Sequence, residues 1–391
     1  MRRYLWGWLC FVGVISAAVF AGFANSQGGV KVLAADGPLA VHEPFVHSNL
    51  ALFPVTSAGF RSSQGYLTLD EGVKSGEVEV RELGARIIRR RPGMPQPDQA
   101  RVNTLALVNH SKKALLLLAG EVVTGGKQDR VISKDRIIPP GAEPLPLEVF
   151  CVEPGRWHGS RRGFASGGFM AAPKLRQKAA VAKNQQEVWA ANKEIRRGVA
   201  GRIAAEQEGD SRMLYEILSL SSSYAQLEST DIFKKKIDEA STDLERDYER
   251  ALRGALKGKN VVGVVVAVNG EVVWADLFAD PDLFGRYWTK LLRSYVVEAL
   301  SVPVKETPQA TIRLAEKFLT EQDGRQIIEV QPGEYRLTHI DNPRYSVFEL
   351  ASLWQTKDPA MMHISKLRKE SPRRGRPVPI GPHPLLERHR R

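Results

Sequence analysis

The stretch VVGVVVAV-NG-EVVWADLF, Val261 to Phe278, decides how the chain is read. Eight apolar residues run into Asn269-Gly270, the pair whose tolerance of positive φ suits a type I′ turn, and a return strand follows. The spacing predicts a two-stranded antiparallel hairpin. Immediately after it, Asp280-Pro281 supplies an N-cap and a proline suited to the first helical position. Leu283, Phe284, Tyr287, Trp288, Leu291, Leu292, Tyr295 and Val296 then recur at helical spacing. A helix with so broad an apolar face should bury against the sheet.

Working back towards the N-terminus, Pro173 to Leu256 carries two helical periods. One is Val181, Val188, Ile195, Val199 and Ile203; the other runs from Phe233 through Ile237, Ala240, Leu244, Tyr248 and Leu252 to Leu256, behind an N-cap at Thr230 or Asp231. Gly209-Asp210 and Ser221-Ser222-Ser223 read as breaks. Before that, Phe45 to Glu153 alternates short apolar runs with turn signals: Leu50 to Val55, Leu67 to Leu69, Val78 to Leu83, Val102 to Asn109, Ala114 to Ala119, Val131 to Ile138 and Leu145 to Val152. These read as strands, with the Pro92 to Pro97 stretch as a loop. Beyond Pro303, strands are expected at Thr311 to Phe318, Gln326 to Val330 and Tyr335 to Ile340, as a small closing meander. The expected class is α+β: an N-terminal antiparallel β unit, a helical middle segment, and a hairpin plus helix completing one globular body.

The 391 residues carry a formal net charge of +12, unevenly placed. Lys366 to Arg391 holds nine Lys or Arg against Glu370 and Glu387, a net of +7, and Arg2 and Arg3 account for two more. The remaining body, near +3, is too weakly basic to imply a nucleic-acid-binding fold. The Arg86, Arg89, Arg90 and Arg91 cluster reads as a solvated edge. Arg2-Arg3 followed by 21 uncharged residues, Tyr4 to Ala24, reads as a signal peptide ending at Gly22-Phe23-Ala24. The same length would also serve as a membrane anchor. The organisation expected is leader 1–24, linker 25–44, α+β domain 45–302, small β-rich extension 303–368 and disordered basic tail 369–391. The body is then exported, periplasmic or extracellular, and the arginine-rich tail offers an electrostatic tether to anionic envelope polymer or lipid.

Gly125-Gly126-Lys127 invites comparison with a phosphate loop. A P-loop, however, has glycine where Glu121 stands and a hydroxyl residue where Gln128 stands. What survives is a candidate anion cradle: backbone N–H groups beside Lys127, Gln128 and Arg130. Pro154-Gly155-Arg156-Trp157-His158 adds charge, a stacking face and a titratable ring. Cys151, lying near these cations, is either a depressed-pKa nucleophile or a packed strand thiol. Glu121 and Glu153 are candidate acid-base groups alongside it. The eight histidines show no metal-binding spacing, so no metal or cofactor is expected.

Glu121 with Gly125 to Arg130, the run Cys151 to Trp157, the Asn269-Gly270 hairpin, and Asp276-Leu277-Phe278 leading to Leu291-Leu292-Arg293-Ser294-Tyr295 together resemble the ARG and rhodanese-phosphatase-superfamily-associated protein domain family. The similarity spans about Phe45 to Leu300. It implies no established activity, only a link to phosphorylated or ADP-ribose-like ligands. Two functions follow as expectations. The first is a cell-envelope binding or accessory protein holding an anionic ligand through Lys127, Gln128, Arg130, Arg156, Trp157 and His158. The alternative is a hydrolase or transferase on a phosphorylated or ADP-ribosylated substrate, using Glu121, Cys151 or Glu153.

Overall fold

A computed structural model describes residues 38–83, 103–155, 163–206 and 211–369, all within the unit that begins at Val32. The leader, the Arg86 to Arg91 cluster, the Pro92 to Pro97 loop, the Gly209-Asp210 break, Arg156 to His158 and the tail from residue 370 lie outside the described residues.

In chain order the strands are β1 Leu39–Val41, β2 Phe45–His47, β3 Leu50–Ser57, β4 Tyr66–Thr68, β5 Val78–Glu82, β6 Thr104–Asn109, β7 Ala114–Leu117, β8 Glu121–Gly125 and β9 Arg130–Ile132. They continue as β10 Arg136–Ile138, β11 Gly141–Cys151, β12 Phe164–Met170, β13 Val261–Val268, β14 Glu271–Phe278, β15 Arg325–Gln331, β16 Tyr335–Asp341, β17 Tyr345–Ser352 and β18 Ala360–Arg368. The helices are α1 Leu69–Ser75, α2 Pro173–Gln177, α3 Gln185–Glu206, α4 Ser211–Leu220, α5 Gln226–Ser229, α6 Asp231–Arg253, α7 Pro281–Leu300 and α8 Ile312–Thr320, with a π-helical turn at Lys178–Ala182. The class is α+β. Among the described residues no helix is long and apolar enough to cross a membrane.

The β13–β14 hairpin forms as expected, its pairing shifted by a bulge between Val266 and Ala267, with Asn269 and Gly270 at φ 50° and 75°. It occupies the middle of a nine-stranded sheet ordered β1-β3-β13-β14-β18-β17-β16-β15, with β2 also on β3. Asp280 caps α7 by accepting from the Leu283 N–H at 2.7 Å. One face of the sheet packs on α3, α6 and α7 around Val266, Trp274, Phe284, Leu291 and Tyr295. The other packs on α8 around Phe53, Val265, Phe318 and Ile364. Separately, β11-β6-β5-β12-β8-β9 close a small barrel whose interior holds Val80, Leu107, Val123, Ile132 and Val149, and β10-β7-β4 form a third sheet.

Gly270 makes a test of the hairpin turn. Its φ is positive, and a Cβ there would meet the Pro308 carbonyl oxygen at 2.0 Å. Gly270→Ala should therefore cost about 2 kcal/mol, through backbone strain and displacement of the 303–308 segment. A lowered urea midpoint with unchanged slope would register it.

Three sequence expectations differ from the structure. Thr311 to Phe318 is not a strand: Thr311 accepts from the Leu314 N–H and opens α8, whose Ala315, Phe318 and Leu319 turn inward at helical spacing. The strand at Leu67 to Leu69 ends at Thr68. That residue and Glu71 form a capping box that starts α1. Val131 to Ile138 is broken at Ser133 to Asp135, so its halves serve different sheets. Strands β1, which lies within the expected 25–44 linker, β2, β8, β12, β17 and β18 are additional to those the sequence suggested.

Candidate functional site

Strand direction sorts the predicted site residues. Glu121 begins β8, at one end of the barrel, and the turn after Gly125 lies at the other. Glu121 is buried, accepting from the Leu118 N–H at 2.8 Å and from Lys290 Nζ at 2.5 Å; Lys290 also reaches Asp70 at 2.8 Å. Burial raises the Glu121 pKa against the pull of Lys290, while Glu121 and Asp70 together outweigh burial and raise that of Lys290. This is a buried ion cluster at the α7 side, away from the double-glycine turn.

At the other end the structure brings Gln128, Arg130, Cys151 and Glu153 together. Arg130 and Cys151 face each other across β9 and β11. Gln128 Nε2 donates to the Glu153 carbonyl at 2.9 Å, and the Asp129 N–H to the Glu153 carboxylate at 3.2 Å. The Gly125 N–H donates to Asp129 Oδ1 at 3.0 Å and the Lys127 N–H to Glu82 Oε1 at 3.1 Å. Three amides of this turn, those of Gly125, Lys127 and Asp129, are thus taken by the protein's own carboxylates. Gln128, Arg130 and Cys151 are all buried. Burial pushes the Cys151 thiol up, favouring the protonated form, and Gln185 clamps its backbone by hydrogen bonds of 2.9 and 2.7 Å.

The helical layer is stitched onto this corner. Asn192 Nδ2 donates to the carbonyls of Val152 and Ser222, Ser223 Oγ donates to Asp129 at 2.5 Å, and Ser222 Oγ donates to the Pro154 carbonyl. Between α3, α4 and Pro154 lies a cavity of about 590 Å³. Trp189, Lys193, Arg196, Arg197, Tyr215 and Ser221 contribute to its wall, and no carboxylate does among the described residues. On α3 these positions fall about four residues apart, on the side facing α4.

Arg196 gives this groove its electrostatics. Only 6 % exposed, it donates to the Leu218 carbonyl at 2.9 Å, to the Ser221 carbonyl and to Gln226 Oε1. Its Nε has no hydrogen-bond partner, nor has Asn192 Oδ1. Its acceptors are all neutral, and burial pulls its pKa below the ordinary arginine range. Carbonyls at the end of α4 supply only partial negative charge, so the guanidinium is buried without a full counter-charge. Lys193 and Arg197 are exposed beside it and make no ion pair among the described residues. In the sequence the periodic signal of α3 is its apolar stripe, and this basic one has no comparable motif.

A second arrangement missed from sequence surrounds Asp276. Its carboxylate accepts from both terminal nitrogens of Arg176 at 2.9 Å, from Trp274 Nε1 at 2.9 Å, from Tyr295 Oη at 2.5 Å and from His363 Nε2 at 3.1 Å. His363 Nδ1 meets Asp135 Oδ2 at 2.6 Å, and the Ala119 N–H donates to Asp135 Oδ1 at 2.6 Å. Burial alone would deprotonate His363, but Asp135 and Asp276 outweigh it and raise its pKa to about 9. Burial likewise opposes the charge on Asp276, yet Arg176 and His363 hold its pKa well below the carboxylate range. Two cations and two anions form one neutral chain. The signal available in sequence was the presence of Asp276 and Tyr295 in the stretches carrying the family resemblance.

Sheet, barrel, buried ion clusters and groove belong to one α+β body. The chain belongs to the ARG and Rhodanese-Phosphatase-superfamily-associated Protein domain family, whose model matches residues 38–365 and so takes in the meander and reaches into β18. No curated protein and no solved structure matches the chain.

Proposed function

We propose that the protein is an exported binding or accessory module of the cell envelope that holds an anionic, phosphorylated or ADP-ribose-like ligand in the groove between α3 and α4. The observation carrying this reading is the incompletely compensated Arg196 at a wall shared with Lys193 and Arg197. A phosphate or carboxylate there would complete the charge balance and accept from donors already held in place. Trp189 and Tyr215 offer faces on which a ring could stack. Export rests on the leader, and the basic tail would hold the protein near anionic polymer or lipid.

Thermal-shift titration with ADP-ribose, AMP, glucose 6-phosphate and inorganic phosphate tests the reading. A true ligand at a hundredfold excess over Kd should stabilise the protein by about 2.7 kcal/mol. The double variant Lys193→Glu/Arg197→Glu, changed at exposed positions only, should fold and lose that shift, and added salt should weaken it in the parent. Equal shifts in parent and variant would remove the groove as the anion site.

A further inference from the structure

A second, more enclosed cavity of about 230 Å³ lies where the π-helical turn after α2 meets the strands β14 to β18. At roughly 30 Å³ per water molecule it has room for a compact one- or two-ring compound. Its chemistry differs from that of the groove.

The floor is rigid. Asp135 and Arg176 are 3 % and 1 % exposed, both locked into the Asp276 chain. Each Asp135 oxygen accepts one protein donor, from Ala119 or His363, which leaves lone pairs for a further N–H. The walls are flat and apolar. Trp274 carries the Arg176 guanidinium 4.4 Å from its ring centroid, and His339 and Phe348 stack with centroids 4.3 Å apart at 11°. Val181, Leu337 and Leu367 close the space between them.

Two lysines contribute to the cavity lining. Lys134 is committed to Glu329 at 2.8 Å. Lys183 is exposed, has no ion pair among the described residues, and sits at φ 48°, in the left-handed region, as the cap of the π-helical turn Lys178–Ala182. A non-glycine residue held there carries backbone strain, and π-turns recur at functional sites. The outcome, among the described residues, is an unpaired cation on the rim of an aromatic-walled chamber with the Asp135 carboxylate at its base and the Glu329 carboxylate, paired with Lys134, on its wall.

We propose that this cavity binds a small heteroaromatic acid: the ring packs among Trp274, Phe348 and His339, a ring N–H donates to Asp135, and the acid group meets Lys183. The site is distinct from the α3–α4 groove, and its occupancy does not depend on the function proposed for that groove.

Indole-3-carboxylate is the probe, measured by isothermal titration calorimetry on the full chain. Three relatives remove these contacts: indole-3-carboxamide the charge, 1-methylindole-3-carboxylate the N–H, and cyclohexanecarboxylate the aromatic ring together with its N–H. Each should bind about tenfold more weakly or worse, the scale of one charged hydrogen bond. Lys183→Glu, at an exposed position, should erase the preference for carboxylate over carboxamide. Lys193→Glu/Arg197→Glu should leave indole-3-carboxylate binding intact. Equal affinity for all four compounds, absence of binding at millimolar concentration, or an unchanged preference in Lys183→Glu would each overturn the proposal.

Discussion

Asp276→Ala is expected to destabilise the protein by about 4 kcal/mol, the largest single-residue effect anticipated here. The side chain is fully buried and satisfies five donor contacts from Arg176, Trp274, Tyr295 and His363. Removing it strands a buried guanidinium and imidazolium, and breaking such a pair typically costs about 3–5 kcal/mol. A buried charge without its partner is far costlier than an apolar replacement of both. The double variant Asp276→Leu/Arg176→Met should therefore lose less than Asp276→Ala alone. Urea unfolding monitored by far-UV circular dichroism would decide the matter, and a loss under about 1 kcal/mol in Asp276→Ala would show that the chain contributes little.

The second large effect is a dependence on pH. His363 has a folded pKa of about 9 against an ordinary value near 6.5, so the folded state binds its proton more tightly than the unfolded one. The resulting stability is fully present below pH 6.5 and is lost as pH rises through 9. Between pH 6.5 and 8 the loss should reach about 1.5 kcal/mol. Lys366 acts in the opposite sense. Burial outweighs its acidic neighbours and lowers its pKa to about 8, so its charged form is penalised on folding and the penalty is relieved between about pH 8 and 10.5. Measurements between pH 6.5 and 8 isolate most of the histidine contribution, and His363→Gln should flatten the slope there. A parent protein equally stable at both ends of that interval would contradict the assigned charge on His363.

Local chemistry made part of this legible from sequence. Asn269-Gly270 specifies a turn because its two residues tolerate positive φ, and Asp280-Pro281 specifies a helix start because cap and proline act within one turn. Thr311 to Leu319 misled because a short amphipathic run suits strand or helix until the surface it covers is known. The corner of Gln128 and Glu153 was expected from motif chemistry, but strand pairing buries it and turns its amides towards Asp129 and Glu82. The basic side of α3 escaped notice because its meaning depends on where the end of α4 lies. The partners of Asp276 lie as far as 100 residues away along the chain, beyond any local period.

Strand β18 enters the large sheet between β14 and β17 rather than at its rim. During synthesis the nascent chain must therefore hold the β14 edge unpaired until residues 360–368 leave the ribosome, and only then can His363 join Asp276. Fragments that stop after α7 would present that open edge permanently, inviting intermolecular pairing and precipitation. Recombinant versions intended for crystallisation or assay should accordingly keep everything through Arg368.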